Sequence, residues 1–238
     1  LFTVQNIILY TITFMISMVG ISTDNIMFTI TPFGLAIIAA ALSCNMPVGI
    51  MYLISLISTF IKFGPNSLLT YILTTLVFFV AILIKKPKVQ DEVNEQKRLG
   101  MHLFVSTLLV QVIPMFFRTF ILYELLTSIM LSICTYIFYK IFSNSITVIR
   151  QAGVKKVFSI EEVMGTSLLL AIAFTALGDT TIFGYNLKNI LSILLVLILG
   201  WKNGILVGAT SGITIGVVLG IICNNEPVMI ASYAISGM

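Results

Sequence analysis

Stretches of about 17 to 20 residues with at most one charged side chain recur along this chain, and each is long enough to cross a bilayer's hydrocarbon as a helix. The runs are continuously apolar and lack the alternation of a membrane β-barrel strand. The expected fold is therefore all-α, a polytopic transmembrane helical bundle. Composition agrees: 58% of residues are hydrophobic and 9% charged, where soluble domains carry about 25% charged residues. Mean hydropathy is +1.10.

Reading apolar runs against Pro, Gly, Asn and charged breakers gives about ten spans: 3–22, 26–43, 46–63, 67–84, 101–117, 119–139, 163–178, 183–200, 203–223 and 227 onward. Pro32 and Pro114 fall inside spans and predict kinks. Nine of the 13 Lys and Arg residues fall in two segments: Lys85, Lys86, Lys88, Lys97 and Arg98 in one, Lys140, Arg150, Lys155 and Lys156 in the other. The positive-inside rule makes both cytoplasmic loops, over about 85–100 and 140–162. Two spans separate them, so the count is self-consistent. Working outward, Asp24, Pro65 and Glu226 face out, Lys202 faces in, and the last span returns the chain to the cytoplasm.

The chain starts with Leu1 inside an apolar run and stops in the short apolar stretch after Pro227, so a fragment cropped at both ends is expected. The formal charge of +4 does not imply nucleic-acid binding, because the basic residues lie beside membrane spans where lipid and translocation rules account for them. Cys44, Cys134 and Cys223 are far apart and His102 is the single histidine, so neither a metal site nor a disulfide framework is expected.

Between Gly200 and Gly220 a glycine recurs at every fourth position, at Gly200, Gly204, Gly208, Gly212, Gly216 and Gly220, which uses six of the chain's 16 glycines. Helices in a bilayer associate through close packing, and small residues at this spacing let backbones approach. Four residues advance a helix by about 400°, so the row winds by about 40° per step and favours a right-handed crossing. Gly200 and Gly204 flank the polar turn Trp201-Lys202-Asn203, which leaves Gly204, Gly208, Gly212, Gly216 and Gly220 as the packing set. The row can face another span of the same chain, a second copy, or a substrate path.

Glu124 and Asp179 are the acids nearest to membrane depth, where an ionisable residue is a functional candidate. Both sit closer to span ends than to span centres, so interfacial caps and an ion or proton role stay open. Trp201 beside Lys202 has the character of an interfacial anchor. Ser159 and Glu162 fit a capping box that starts the seventh span. The segment before it is an entry turn or a surface-lying helix, and Lys85, Lys86, Lys155 and Lys156 are candidates for lipid or partner contact. The acids of DEVNE (91–95) belong to a solvated loop, and no G-x-S-x-G, H-E-x-x-H or P-loop occurs, so no catalytic constellation is expected in this chain.

Three stretches carry a resemblance: TPFGLAIIAAALS (31–43), FSIEEVMGTSLLLAIAFTALGDTTIFGYNLKNILSILLVLI (158–198), and GATSGITIGVVLGII with EPVMIASYAISGM (208–238). With the GLGD-like element Ala176-Leu177-Gly178-Asp179 and the YA-x-SG element Tyr233 to Gly237, the chain resembles the membrane region of the stage II sporulation protein E family. That resemblance implies ten spans and a cytoplasmic serine/threonine phosphatase domain after residue 238. It implies manganese or magnesium in that domain, with no cofactor, metal ligand or catalytic residue in this one. It further implies an anti-anti-sigma factor as substrate and the tubulin-like division protein as partner at the asymmetric septum. The expected role is membrane anchoring and oligomerisation of that phosphatase. The competing class is a small-solute or ion transporter, which solute uptake abolished by Asp179→Asn would favour. A third is a membrane component of a complex without an attached enzyme.

Overall fold

The computed structural model describes residues 4–20, 31–84, 92–117, 121–151, 158–178, 180–182, 184–223 and 227–238. The described residues are helical apart from turns and one small hairpin. In chain order the helices are α1 (Val4–Ser17), α2 (Pro32–Ser43), α3 (Val48–Ile84), α4 (Glu92–Val112), α5 (Leu122–Gln151), α6 (Ile160–Thr175), α7 (Leu187–Asn203), α8 (Ile205–Cys223) and α9 (Pro227–Ser236). A 3₁₀ turn, Ile113–Phe117, ends α4. The hairpin pairs β1 (Thr181–Ile182) antiparallel with β2 (Tyr185–Asn186), and Gly184 at φ 84° turns it. The contacts divide the chain into one unit of Leu1–Val19 with Asn144–Met238 and a second of Gly20–Ser143.

In the second unit α3 is a helical hairpin. Its helical assignment is continuous, but Gly64 has φ 78° and ψ −173°, a region essentially confined to glycine, and Pro65 follows. The limbs 48–63 and 65–84 fold back on each other: Ser55 Oγ lies 2.8 Å from Tyr71 OH, and Tyr52 OH 2.9 Å from Thr75 Oγ1. The Tyr52 and Tyr71 rings stack with centroids 6.3 Å apart. Hydroxyls also bond within their own helices, Thr59 donating to the Ser55 carbonyl and Thr75 to that of Tyr71. Satisfied hydroxyls matter in an apolar medium, where no water replaces a missing partner.

Helix α2 is apolar all round and buried all round, from Pro32 through Ala41, as that pattern requires. Phe33 meets Phe138 edge-on at 4.7 Å, and Ser43 Oγ lies 2.9 Å from Ser143 Oγ. Helices α4 and α5 meet at Gly100, where an added Cβ would lie 2.6 Å from the Tyr136 ring. Tyr139 there donates to the Gln96 carbonyl at 2.9 Å.

In the first unit α6 starts with the capping box read from the sequence: Glu162 N–H donates to Ser159 Oγ at 3.2 Å and Ser159 N–H to Glu162 Oε2 at 2.8 Å. Helix α1 packs on α6. Leu9, Ile12, Thr13 and Ile16 form its buried stripe, at the spacing of one helix face.

Each expected span coincides with a described helix, and α3 supplies two. That agreement is one of position. Among the described residues four helices are long and apolar enough to cross a membrane: Val48–Ile84, Asn94–Phe116, Leu122–Gln151 and Ile205–Ile222. At about 1.5 Å per residue, α2 is about 18 Å long and α9 about 15 Å, both short of a hydrocarbon core about 30 Å thick.

The loop boundaries also change. Glu92 to Gly100 and Lys140 to Gln151 are helical, not loop. Six of the nine residues of the first stretch are Glu, Gln, Lys, Arg or Leu, all good helix formers. The second follows a run without Gly or Pro since Leu122, and Ser143, Ser145, Ile146 and Val148 bury one side of it. Neither expected proline kink forms inside a helix. Pro32 opens α2 at its first turn, where its missing N–H costs nothing, and Pro114 lies in the 3₁₀ turn.

Candidate functional site

The glycine row belongs to a cluster of α7, α8 and α9, and the partner it faces is α9 of the same chain. A Cβ built on Gly208 would lie 2.0 Å from the Gly237 carbonyl oxygen and 2.5 Å from Gly200 Cα. At Gly212 it would lie 2.3 Å from the Tyr233 carbonyl oxygen, and at Gly216 3.0 Å from Ile230 Cα. These neighbours are backbone atoms, so no side-chain rotation could relieve them. At Gly220 the nearest atom is the Ile230 side chain at 3.7 Å, an ordinary contact. The row is thus tightest at one end of α8 and loosens toward the other.

Gly204 stands apart from the packing set in which the sequence places it. A Cβ there meets nothing within 4 Å. Its backbone, at φ 90° and ψ 167°, occupies the region that glycine alone enters readily, and it breaks α7 from α8. The helix ladder still runs up to and away from it, since Gly204 N–H donates to the Gly200 carbonyl at 2.9 Å and Gly208 N–H to the Gly204 carbonyl at 3.0 Å. Gly200 takes its place in the packing: a Cβ there would meet the Gly237 carbonyl oxygen at 2.5 Å.

Gly237 closes the arrangement from α9, with an added Cβ 2.2 Å from the Gly208 carbonyl oxygen and 2.9 Å from Val196 Cγ1. One turn earlier Tyr233 is buried and its OH donates to Asn189 Oδ1 at 3.2 Å, tying α9 to the start of α7. In the sequence Tyr233 and Gly237 carry only the family resemblance. Their four-residue spacing is the signal that could have paired them with the row on α8. Lys188, in the first turn of α7, is also buried, which a charge near a span end did not suggest.

Of the remaining sequence candidates, Glu124 alone is among the described residues. Glu124 sits in the first turn of α5, half-buried, where the helix dipole favours a carboxylate. Its main-chain carbonyl accepts from the Thr127 and Ser128 hydroxyls. Asp179, Lys85, Lys86, Lys155 and Lys156 lie outside the described residues. Among the described residues no group of three or more His, Cys, Asp or Glu could hold a metal ion, and the Cys44 thiol donates to the Ser143 carbonyl at 3.5 Å. What the cluster does is hold three helices at backbone contact.

In a comparison with known protein families, the family model described as SpoIIE, N-terminal domain, aligns with residues 1–238. No curated protein matches the chain, and no solved structure does.

Proposed function

Because the chain belongs to the SpoIIE N-terminal domain family, which matches it from residue 1 to residue 238, we propose that it anchors a sporulation serine/threonine phosphatase in the membrane. The observation that carries this reading is that match over a chain whose described residues form apolar helices. In this proposal the phosphatase domain, with its manganese or magnesium, follows residue 238. It dephosphorylates an anti-anti-sigma factor, and the assembly works at the asymmetric septum with the tubulin-like division protein.

In this proposal every described helix lies in the membrane, with the two limbs of α3 counted separately. Helices α4 and α5 are the two crossings between the basic segments, and the chain leaves α9 toward the cytoplasm. Self-association is part of the proposal. It would use lipid-facing side chains, because α9 already occupies the glycine row.

The test exchanges residues 1–238 for an unrelated multi-pass anchor with the same cytoplasmic exit. Phosphatase activity toward the anti-anti-sigma factor is expected to persist while septal placement is lost. Normal septal placement of the exchanged protein would overturn the reading.

A further inference from the structure

The turn between α7 and α8 exposes an unusual set of side chains. Trp201 is 88% exposed, Leu206 70% and Ile205 65%, and Lys202 and Asn203 between them are exposed too. Water is a poor environment for an indole and two branched aliphatics. The patch continues into the outward faces of the same helices, through Leu194, Leu197 and Ile198 on α7 and Ile213, Val217 and Ile221 on α8. Helix α8 contains one of the spans long enough to cross a bilayer. The exposed strip therefore changes along its length from aliphatic side chains to an indole and then to an ammonium. That is the order of a bilayer from acyl chain through interface to headgroup.

The turn is also held in one geometry. Gly204 reverses the chain in a conformation that other residues resist, and Gly200 and Gly208 on either side of it touch each other and Gly237 through backbone atoms. A fixed turn keeps indole and ammonium at a fixed separation and depth, which a mobile loop would not.

We propose that the Trp201–Lys202 turn is a binding site for an anionic phospholipid, with the indole in the interfacial layer and the Lys202 ammonium on the headgroup phosphate. The inference rests on the membrane reading above and adds a lipid class to it. One cation beside an anionic headgroup contributes about a fivefold preference over a zwitterionic lipid.

Trp201 is the only tryptophan in the chain, so its fluorescence reports this turn alone. The 238-residue chain is reconstituted in vesicles of phosphatidylcholine mixed with phosphatidylglycerol, and one lipid at a time carries bromine near the headgroup end of its acyl chains. Brominated phosphatidylglycerol should quench Trp201 with about fivefold higher apparent affinity than brominated phosphatidylcholine. Lys202→Gln, an exposed substitution that leaves the fold intact, should bring the two lipids level. Equal quenching by both lipids in the unsubstituted chain would refute the anionic site and leave the membrane reading standing. Failure of every brominated lipid to quench would remove the turn from the bilayer altogether. Selectivity unchanged by Lys202→Gln would take the headgroup contact away from Lys202 and overturn the proposal as stated.

Discussion

Replacing the glycines of α8 one at a time by alanine should give effects that change sign along the helix. A methyl carbon needs about 3.5 Å of room. At Gly208 and Gly212 it would find backbone oxygens at 2.0 and 2.3 Å, so α9 would have to retreat by about 1 Å or more. Overpacking of this kind costs about 1–3 kcal/mol, set against a gain of up to about 1 kcal/mol from exchanging glycine for alanine in a helix. The net expectation is a loss of up to about 2 kcal/mol at Gly208 and Gly212 and a change near zero at Gly216. Gly220, with 3.7 Å already available, should gain up to about 1 kcal/mol. Gly212→Leu should exceed any of the alanine losses and disrupt the contact. The assay is reversible unfolding of the purified chain in mixed micelles, with oligomer size followed by light scattering. Losses of equal size at Gly212 and Gly220, or a stabilised Gly208→Ala, would refute the argument that backbone contact with α9 requires these glycines.

Gly204→Ala should cost about 1–3 kcal/mol in the same assay despite the open space around it, because the cost lies in its positive φ; a neutral result would mean the turn does not need that backbone. Tyr71→Phe, which removes the hydroxyl facing Ser55 in the α3 hairpin, should destabilise by about 0.6 kcal/mol as is typical inside membranes, and a stabilised variant would contradict the hairpin pairing. Ser159→Ala removes the α6 cap and should cost about 1 kcal/mol, while Ser159→Asp should recover most of it; indifference to both would exclude the capping box from the stability of α6.

Much of this architecture was legible because a bilayer makes hydropathy and helix-breaking residues speak directly to structure. The reversal at Gly64-Pro65 and the break near Gly204 both stood in the sequence as breakers between apolar runs. What the runs could not convey was length. Ser143, Ser145 and Ile146 lie past a charged Lys140, yet α5 runs on to Gln151 and these three are buried in it. The glycine spacing indicated a close helix contact and left its partner open. The partner is visible only in the fold, where Tyr233 and Gly237 lie against Gly212 and Gly208 of α8. Gly204 shared the period of the row without sharing its purpose, since spacing cannot distinguish a glycine needed for room from one needed for its φ.

The most direct test of the central claim, that the glycine row serves packing within one chain, is cysteine cross-linking in native membranes. In a chain whose own cysteines are replaced, Gly216→Cys is combined with Ile230→Cys, at positions where a Cβ on α8 lies 3.0 Å from the α9 backbone. Mild oxidation is predicted to yield a monomer of altered mobility that reverts on reduction, with the single variants unaffected. A disulfide-linked dimer, formed by the pair or by Gly216→Cys alone, would show that the row faces a second copy and would contradict the account.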